Sequence, residues 1–303
     1  MSGHFFLYVL FNEFPRIDTS VLRQAVAGLE PDACSNCEVS DFIMRATEEG
    51  SMYSGVVSCG DLNVAVQVYG QPLSEVSRQA TIEVVAIAEA ERERLRRHKV
   101  HARLTCLGGD DEFQPVENMV ILWKVAMGLV AQGGIAVVNE NNCTCVPSEL
   151  VSAYAQQARD EVASTGSWQG PERQASFWNM MRNQGVPGEL LVGFLTAEIG
   201  GDIWFLSAGH TLFGLPELVC RGKDPHELER VEEHFKTIFQ YLFENGPVVR
   251  AGQSLNFDGT AGYKFSALPA NLRNLEAAHG TLVVTIDEGE MTDDDDPLRD
   301  WDF

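Results

Sequence analysis

The chain has 303 residues, of which 45% are hydrophobic and 22% are charged. This ordinary globular composition excludes a disordered, collagen-like or coiled-coil protein. Forty-four acidic residues against 22 basic ones give a formal net charge of −22 at pH 7, which argues against a nucleic-acid-binding protein because such proteins need a basic surface. At about 100–200 residues per domain, the length predicts two domains or one large one.

Hydropathy and cysteine usage favour a cytoplasmic protein. The sequence holds no run of about 18 apolar residues, so no transmembrane helix is expected. The apolar segment 5–11 has no basic region before it and no small-residue cleavage site after it, and we interpret it as a strand rather than a signal peptide. Seven cysteines, an odd number, do not resemble a secreted disulfide framework, which favours a reducing compartment.

In the first half of the chain, strand and helix patterns alternate irregularly. Val64, Val66 and Val68 alternate with other residues at a period of two, which predicts a strand with one buried face. Gly60-Asp61 between two β-rich runs predicts a tight hairpin. The predicted strands span residues 5–11, 55–59, 62–69, 100–107 and 135–138, and the predicted helices span 21–29, 74–98, 119–130 and 147–159.

The second half repeats the order of hairpin, helix and strand. Gly200-Gly201-Asp202 predicts a turn between two antiparallel strands. Apolar residues at helical spacing between Leu228 and Leu242 predict an amphipathic helix that begins at Pro225. The predicted strands span 189–199, 203–207, 212–221, 248–251, 252–257 and 280–286, and the predicted helix spans 225–245.

These elements predict an α+β fold of mixed, mainly antiparallel sheets with helices packed on one face. The repeated order of elements indicates two similar subdomains. We expect an N-terminal α+β subdomain at 1–159, a linker or docked excursion at 160–188, a C-terminal α+β subdomain at 189–286 and an acidic tail at 287–303. Glycine, proline and serine clusters mark the segment 160–188.

The acidic tail concentrates the negative charge, with nine acidic residues and one basic residue that give it a formal charge of −8. A run of like charges is usually a solvated face, and the alternative is that it attracts a basic partner while two aromatic residues anchor in a pocket. The candidate binding residues of the tail are Asp293, Asp294, Asp295, Asp296, Trp301 and Phe303. The aspartate run lacks the alternating ligand spacing of a calcium loop.

Cysteine spacing offers only a weak indication of a metal site. Cys34 and Cys37 form a Cys-x-x-Cys pair, but a structural zinc site needs a second such pair or suitably spaced histidines. His98 and His101 do not supply that spacing securely. The sequence therefore predicts no metal and keeps Cys34 and Cys37 as weak candidates.

Ser207 and His210 are the nearest approach to a nucleophile and its base. No Gly-x-Ser-x-Gly or Ser-x-x-Lys motif accompanies them, so we interpret His210 as a polar loop residue. No glycine-rich phosphate-binding loop is present either. The sequence therefore does not favour an enzyme.

A resemblance to a known family rests on the segment 208–220, in which a glycine-containing strand leads to the turn Phe213-Gly214-Leu215-Pro216-Glu217. The helix at 225–246 and the extended Ala-Gly-Gln-Ser-Leu segment at 251–255 follow it. This order resembles the domain-of-unknown-function 4261 family over most of residues 5–260, and the resemblance implies no established catalytic residues. From the residues alone, Glu217 is expected to cap or pair locally. Burial of Glu217 would instead be a functional clue, because an uncompensated carboxylate in apolar surroundings is costly.

The leading hypothesis is a bacterial binding protein without catalysis, of the immunity type or otherwise neutralising a basic protein partner. Glu217 and His210 join the tail residues as candidate binding residues. We expect no cofactor, no direct nucleic-acid binding and no membrane contact, and the oligomeric state stays open. The alternatives are a hydrolase or transferase with a Cys/His or Ser/His site, and a structural or assembly subunit.

Overall fold

The computed structural model forms two compact units, Met1–Gly193 and Phe194–Phe303, which we call the N-terminal and C-terminal units. It describes residues 6–27, 37–47, 50–59, 62–83, 87–107, 115–154, 156, 177–178, 181, 186–257 and 261–287. The tail residues 288–303 and most of the predicted linker at 160–188 lie outside this range. None of the described helices has the length and apolar character needed to cross a bilayer.

The N-terminal unit combines one large sheet with several helices. Its strands are β1 (Phe6–Phe11), β2 (Cys37–Val39), β3 (Ile43–Thr47), β4 (Gly50–Cys59), β5 (Leu62–Tyr69), β6 (Val100–Leu107), β7 (Gly134–Asn139) and β8 (Thr144–Pro147). Its helices are α1 (Thr19–Ala27), α2 (Glu75–Ala80), α3 (Glu89–Arg96) and α4 (Pro115–Val130). Residues 148–154 are also helical, and Gly188–Leu190 forms a short 3₁₀ helix.

The strand order in this sheet is β2-β4-β5-β6-β1-β7-β8, and all the described pairings are antiparallel. Strand β3 also pairs with β4, along the same edge of β4 as β2. The predicted hairpin is confirmed, because β4 and β5 pair directly with Cys59 opposite Leu62. Val64, Val66 and Val68 are fully buried, as their period of two predicts. Helix α4 packs against β1, β5, β6 and β7, and α1 packs against α4.

The predicted helix at 74–98 is wrong, because the structure divides it into α2 and α3. Ser74 caps α2 by accepting a hydrogen bond from the Ser77 N–H, as the sequence predicts. After Ala80 the chain leaves the helix, and Ile82 is buried in a cluster with Leu10 and Leu95. Thr81 and Ile82 are β-branched, which lowers helix propensity, and a straight helix could not bury Ile82 in this way.

The C-terminal unit is built on a second sheet. Its strands are β9 (Gly193–Ile199), β10 (Asp202–Ala208), β11 (Glu217–Gly222), β12 (Ser254–Phe257), β13 (Ala261–Ala267) and β14 (Thr281–Asp287). The strand order is β12-β13-β14-β11-β10-β9, and β11 pairs with β14 in parallel whereas the other described registers are antiparallel. Helix α5 (Leu228–Asn245) follows a 3₁₀ turn, Pro225–Glu227, and buries an apolar face: Val231, Phe235, Ile238, Phe239 and Leu242.

The α+β class with two mainly antiparallel sheets is therefore confirmed. The amphipathic helix at 225–245 is also confirmed, and Asp224 caps its start by accepting a hydrogen bond from the His226 N–H. Strand β13 was not predicted, and the predicted strand at 248–251 is irregular in the structure. The two sheets differ in strand number and in the parallel pairing of β11 with β14.

Gly134 gives a first test of the packing between β7 and α4. A Cβ atom at this position would lie 2.7 Å from Val9 Cγ1 and 2.9 Å from the Val130 Cα, which is closer than packed carbon atoms approach. We expect Gly134→Ala to lower the free energy of unfolding by about 1–3 kcal/mol, because the strand or the helix must shift. Urea denaturation of the full chain measures this change.

The matched control is Gly262→Ala in β13, where a new Cβ atom meets no described atom closer than 3.6 Å. This second strand glycine is expected to tolerate alanine without loss of stability, since alanine reduces the entropy of the unfolded chain. Equal destabilisation by the two substitutions would contradict the packing explanation for Gly134.

Candidate functional site

The candidate site lies in the connection between β10 and β11 of the C-terminal unit. The sequence predicts an extended segment at 212–221, but the structure forms a 3₁₀ helix, His210–Phe213, before β11 begins at Glu217. Gly209 and Gly214 flank this helix with φ angles of 114° and 70°, in the left-handed region. Because glycine adopts this region without strain, the two glycines bend the chain tightly enough to bring β11 back beside β10.

Glu217 is buried, with 8% of its surface exposed, and its carboxylate accepts three hydrogen bonds. The Ser207 hydroxyl donates to Oε2 at 2.6 Å, and the backbone N–H groups of Gly209 and Thr211 donate to Oε1 at 2.9 and 3.2 Å. A buried carboxylate is costly unless such donors surround it. Glu217 therefore holds the start of the 3₁₀ helix, which is the local capping role that the sequence suggested.

Ser207 is fully engaged in the same network. Its hydroxyl proton points to Glu217, and its Oγ atom accepts the Leu218 N–H at 2.8 Å. Among the described residues, no hydrogen bond joins Ser207 to His210. A serine nucleophile needs a base that removes its proton, and here Oε2 of Glu217 occupies the position next to that proton, while Oε1 of the same carboxylate accepts the Gly209 and Thr211 N–H groups.

His210 is completely buried beside Glu217, and its ring lies 4.8 Å from the Phe239 ring on α5. Its Nδ1 atom lies 3.0 Å from the Pro216 carbonyl oxygen. A carbonyl only accepts, so Nδ1 carries the proton and Nε2 presents a lone pair. Burial lowers the pKa of His210, while the Glu217 charge opposes that shift, so the imidazole is neutral at pH 7.

The Nε2 atom of His210 is the unusual feature of this network. It is buried without a hydrogen-bond partner among the described residues. The sequence interpretation of His210 as a polar loop residue is therefore wrong, because the side chain packs in the interior. The sequence analysis paired Ser207 with His210 and treated Glu217 separately, so it missed the hydrogen bond between Ser207 and Glu217. The two glycines that frame the connection were a visible signal of the tight bend.

Two further buried histidines lie in the N-terminal unit. His98 accepts the Leu73 N–H at Nε2 and places Nδ1 2.6 Å from the Leu95 carbonyl. His101 places Nδ1 2.9 Å from the Gln71 carbonyl, and its ring stacks on Tyr69 with centroids 5.0 Å apart. Burial lowers the pKa of both histidines. Both rings therefore bond to backbone groups in the interior of the N-terminal unit.

The other predicted site residues divide into those inside and outside the described chain. Cys37 is buried in β2 opposite Cys59 in β4, and Cys34 lies outside the described residues. The tail candidates Asp293, Asp294, Asp295, Asp296, Trp301 and Phe303 also lie outside them. Within the described residues, no group of three or more histidine, cysteine, aspartate or glutamate side chains is arranged to hold a metal ion.

Comparison with known proteins agrees with the resemblance seen in the sequence. Residues 206–276 match the family model described as Domain of unknown function (DUF4261). The match contains the whole Ser207, His210 and Glu217 network and helix α5, so the network belongs to the part of the chain that carries the family pattern. The family match begins at residue 206, whereas the resemblance in the sequence was expected to cover most of residues 5–260. No curated protein and no solved structure matched the chain.

Proposed function

We propose that the chain is a non-catalytic, bacterial, cytoplasmic binding protein that neutralises a basic protein partner in the manner of an immunity protein. The observation that carries this proposal is the formal net charge of −22, of which the tail at 287–303 contributes −8. Strong negative potential speeds the encounter with a cationic partner and suppresses binding to other acidic molecules, nucleic acids included.

The arginines near α3 do not present an unpaired basic patch, because glutamates pair with them. Arg96 contacts Glu83, Glu89 and Glu93, and hydrogen bonds from Arg96 and Arg97 lower the pKa of Glu93. Further ion pairs of this cluster join Arg92 to Glu89, Arg94 to Glu91 and Glu149, and Arg97 to Glu93. The arginine cluster therefore supports the fold rather than a contact with an anionic ligand.

The geometry of Ser207 favours binding over hydrolysis or group transfer. Its hydroxyl is committed to Glu217 and to the Leu218 N–H, so the Ser/His alternative lacks an activated nucleophile in this arrangement. Exposed apolar residues on β3 support the assembly alternative, since Ile43 and Met44 are 56% and 62% exposed. Light scattering on the purified chain over a range of concentrations distinguishes self-assembly from heteromeric binding.

The test begins by identifying the partner and then measures how salt changes its binding. The tagged full chain captures proteins from its native host, and mass spectrometry identifies those that bind. We expect a partner with a pI above about 9. We also expect its association rate constant to fall at least about 10-fold between about 20 mM and about 150 mM salt, with a much smaller change in dissociation.

Two tail variants separate charge from anchoring. The first replaces the acidic residues of 288–303 with asparagine or glutamine and keeps both aromatic residues, and the second replaces Trp301 and Phe303 with alanine and keeps the charge. Both leave β14 intact, since it ends at Asp287. The proposal predicts slower association for the first variant. A partner without an excess of basic residues, or an association rate constant that does not change with salt concentration, would contradict the proposal.

A further inference from the structure

Two cysteines face each other across the edge of the N-terminal sheet. Cys37 is the first residue of β2 and Cys59 is the last residue of β4, and the antiparallel register places them directly opposite. Both side chains are buried, with 8% and 6% of their surfaces exposed. Directly opposite residues of an antiparallel pair project to the same face of the sheet, so the two sulfur atoms share one side.

The hydrogen-bond pattern shows which kind of pair they form. The Ser40 N–H donates to the Val56 carbonyl at 2.9 Å, and the Val56 N–H donates to Ser40 Oγ at 2.8 Å, so these two residues face each other as a hydrogen-bonded pair. Hydrogen-bonded and non-hydrogen-bonded pairs alternate along an antiparallel ladder. Three steps along, Cys37 and Cys59 are therefore a non-hydrogen-bonded pair, in which Cα atoms lie about 4.5 Å apart.

That separation falls within the range of about 4.4–6.8 Å that a disulfide spans without backbone movement. The other four described cysteines have no cysteine opposite them in the sheets. Cys143 lies in the turn between β7 and β8, and the rest face other residues: Cys106 faces Val64, Cys145 faces Val138 and Cys220 faces Phe205. The fold therefore singles out Cys37 and Cys59 among the described cysteines.

We propose that Cys37 and Cys59 form a dithiol site that a small-molecule disulfide of the glutathione type oxidises to a cross-strand disulfide. One cysteine thiolate attacks a sulfur of the small disulfide, forms a mixed disulfide and releases the first small thiol. The second cysteine thiolate then attacks the cysteine sulfur of that mixed disulfide and releases the second small thiol. Two protein thiols lose two protons and two electrons, and the small disulfide gains them.

The product would join β2 to β4 at a place where few backbone hydrogen bonds hold the edge. Strand β2 contributes three residues, Cys37–Val39, and pairs with the end of β4. A bond between Cys37 and Cys59 closes the segment between them and restricts the unfolded chain. In a reducing compartment the site stays a dithiol, so the disulfide forms only when small-molecule disulfides accumulate.

The test uses the full chain, fully reduced and then equilibrated with mixtures of oxidised and reduced glutathione. Thiols are trapped by alkylation in acid, and digestion with mass spectrometry maps the links. We expect one major product in which the peptides of Cys37 and Cys59 are joined and two of the seven thiols are lost. The oxidised chain should also unfold about 5–10 °C higher than the reduced one.

Single variants check the assignment. Cys37→Ser and Cys59→Ser should each abolish the joined peptides and the thermal shift, whereas Cys34→Ser should retain both. A circular dichroism spectrum like that of the unmodified chain confirms that each reduced variant folds. The disulfide links mapped in the unmodified chain test the proposal even if a variant fails to fold. A major product that joins Cys34 to Cys37 or Cys59, or full alkylation of all seven cysteines after oxidation, would overturn the proposal.

Discussion

Replacing Glu217 with alanine is expected to lower the free energy of unfolding of the C-terminal unit by about 3–5 kcal/mol. The substitution removes the acceptor of the Ser207 hydroxyl and of the Gly209 and Thr211 N–H groups. Each buried donor without an acceptor costs about 1–3 kcal/mol, and the partly exposed Thr211 recovers some of that cost by bonding to water. Hydrogen exchange of the full chain under increasing urea, read on peptides of residues 194–287, measures the loss.

Two variants calibrate this result. Glu217→Gln keeps one oxygen acceptor and removes the charge, so we expect a smaller loss than with alanine. Glu229→Ala changes an exposed glutamate on α5 and should shift stability by less than about 0.5 kcal/mol. If Glu217→Ala is as stable as Glu229→Ala but loses partner binding, the carboxylate acts as a contact residue and the structural role is wrong.

The second large effect is a loss of stability of the N-terminal unit in mild acid. Burial lowers the pKa of His98 and His101, so the folded unit binds fewer protons than the unfolded chain, in which histidine has a pKa near 6.5. The stability that the two neutral histidines contribute is fully present above about pH 6.5. It is lost as the pH falls towards the pKa values of the folded state. Two histidines give a maximal slope of about 2.7 kcal/mol per pH unit.

The environment of each histidine supports that sign. His98 faces His101 and Arg78, whose charges also disfavour protonation, and Glu140 opposes the shift at His101 without cancelling it. Urea denaturation between pH 5 and pH 7 measures the slope. Glu83, Glu89 and Glu93 do not titrate in this range, because hydrogen bonds from arginines lower their pKa values.

Substitution of one buried and one exposed histidine tests whether the buried histidines cause the pH dependence. His101→Gln should reduce the slope by about 1.4 kcal/mol per pH unit, whatever it does to stability itself. The matched control is His226→Gln, because His226 is an exposed residue of the 3₁₀ turn Pro225–Glu227 in the C-terminal unit and lies outside the unit whose slope is measured. A slope that is flat in the unmodified chain, or equal in both variants, would contradict the explanation.

The sequence predicted the parts of the fold in which local pattern and tertiary environment agree. The alternation at Val64, Val66 and Val68 requires one buried face, and β5 has it. The stripe on α5 is likewise sufficient to place Phe235 and Phe239 inside. In both cases the period of the hydrophobic residues matches the period of the secondary structure, so no distant contact is needed to decide the outcome.

The sequence failed where distant contacts decide. Charges at suitable ends made 74–98 resemble one long helix, but burial of Ile82 against Leu10 and Leu95 broke it. In the site, Ser207 and Glu217 become partners only because β10 and β11 pair in antiparallel register. That register depends on how Gly209, Gly214 and the 3₁₀ helix between them bend the chain, so spacing alone could not reveal that the Ser207 proton goes to a carboxylate.

The parallel pairing of β11 with β14 determines when the C-terminal unit can be completed during synthesis. Strand β14 lies between β11 and β13, so the sheet remains in two pieces until Thr281–Asp287 has been made. The described pairings of the N-terminal unit involve only strands that precede residue 148, and domains fold in the order in which they leave the ribosome. A nascent chain therefore exposes the unpaired edges of β11 and β13 to chaperones until β14 has been synthesised.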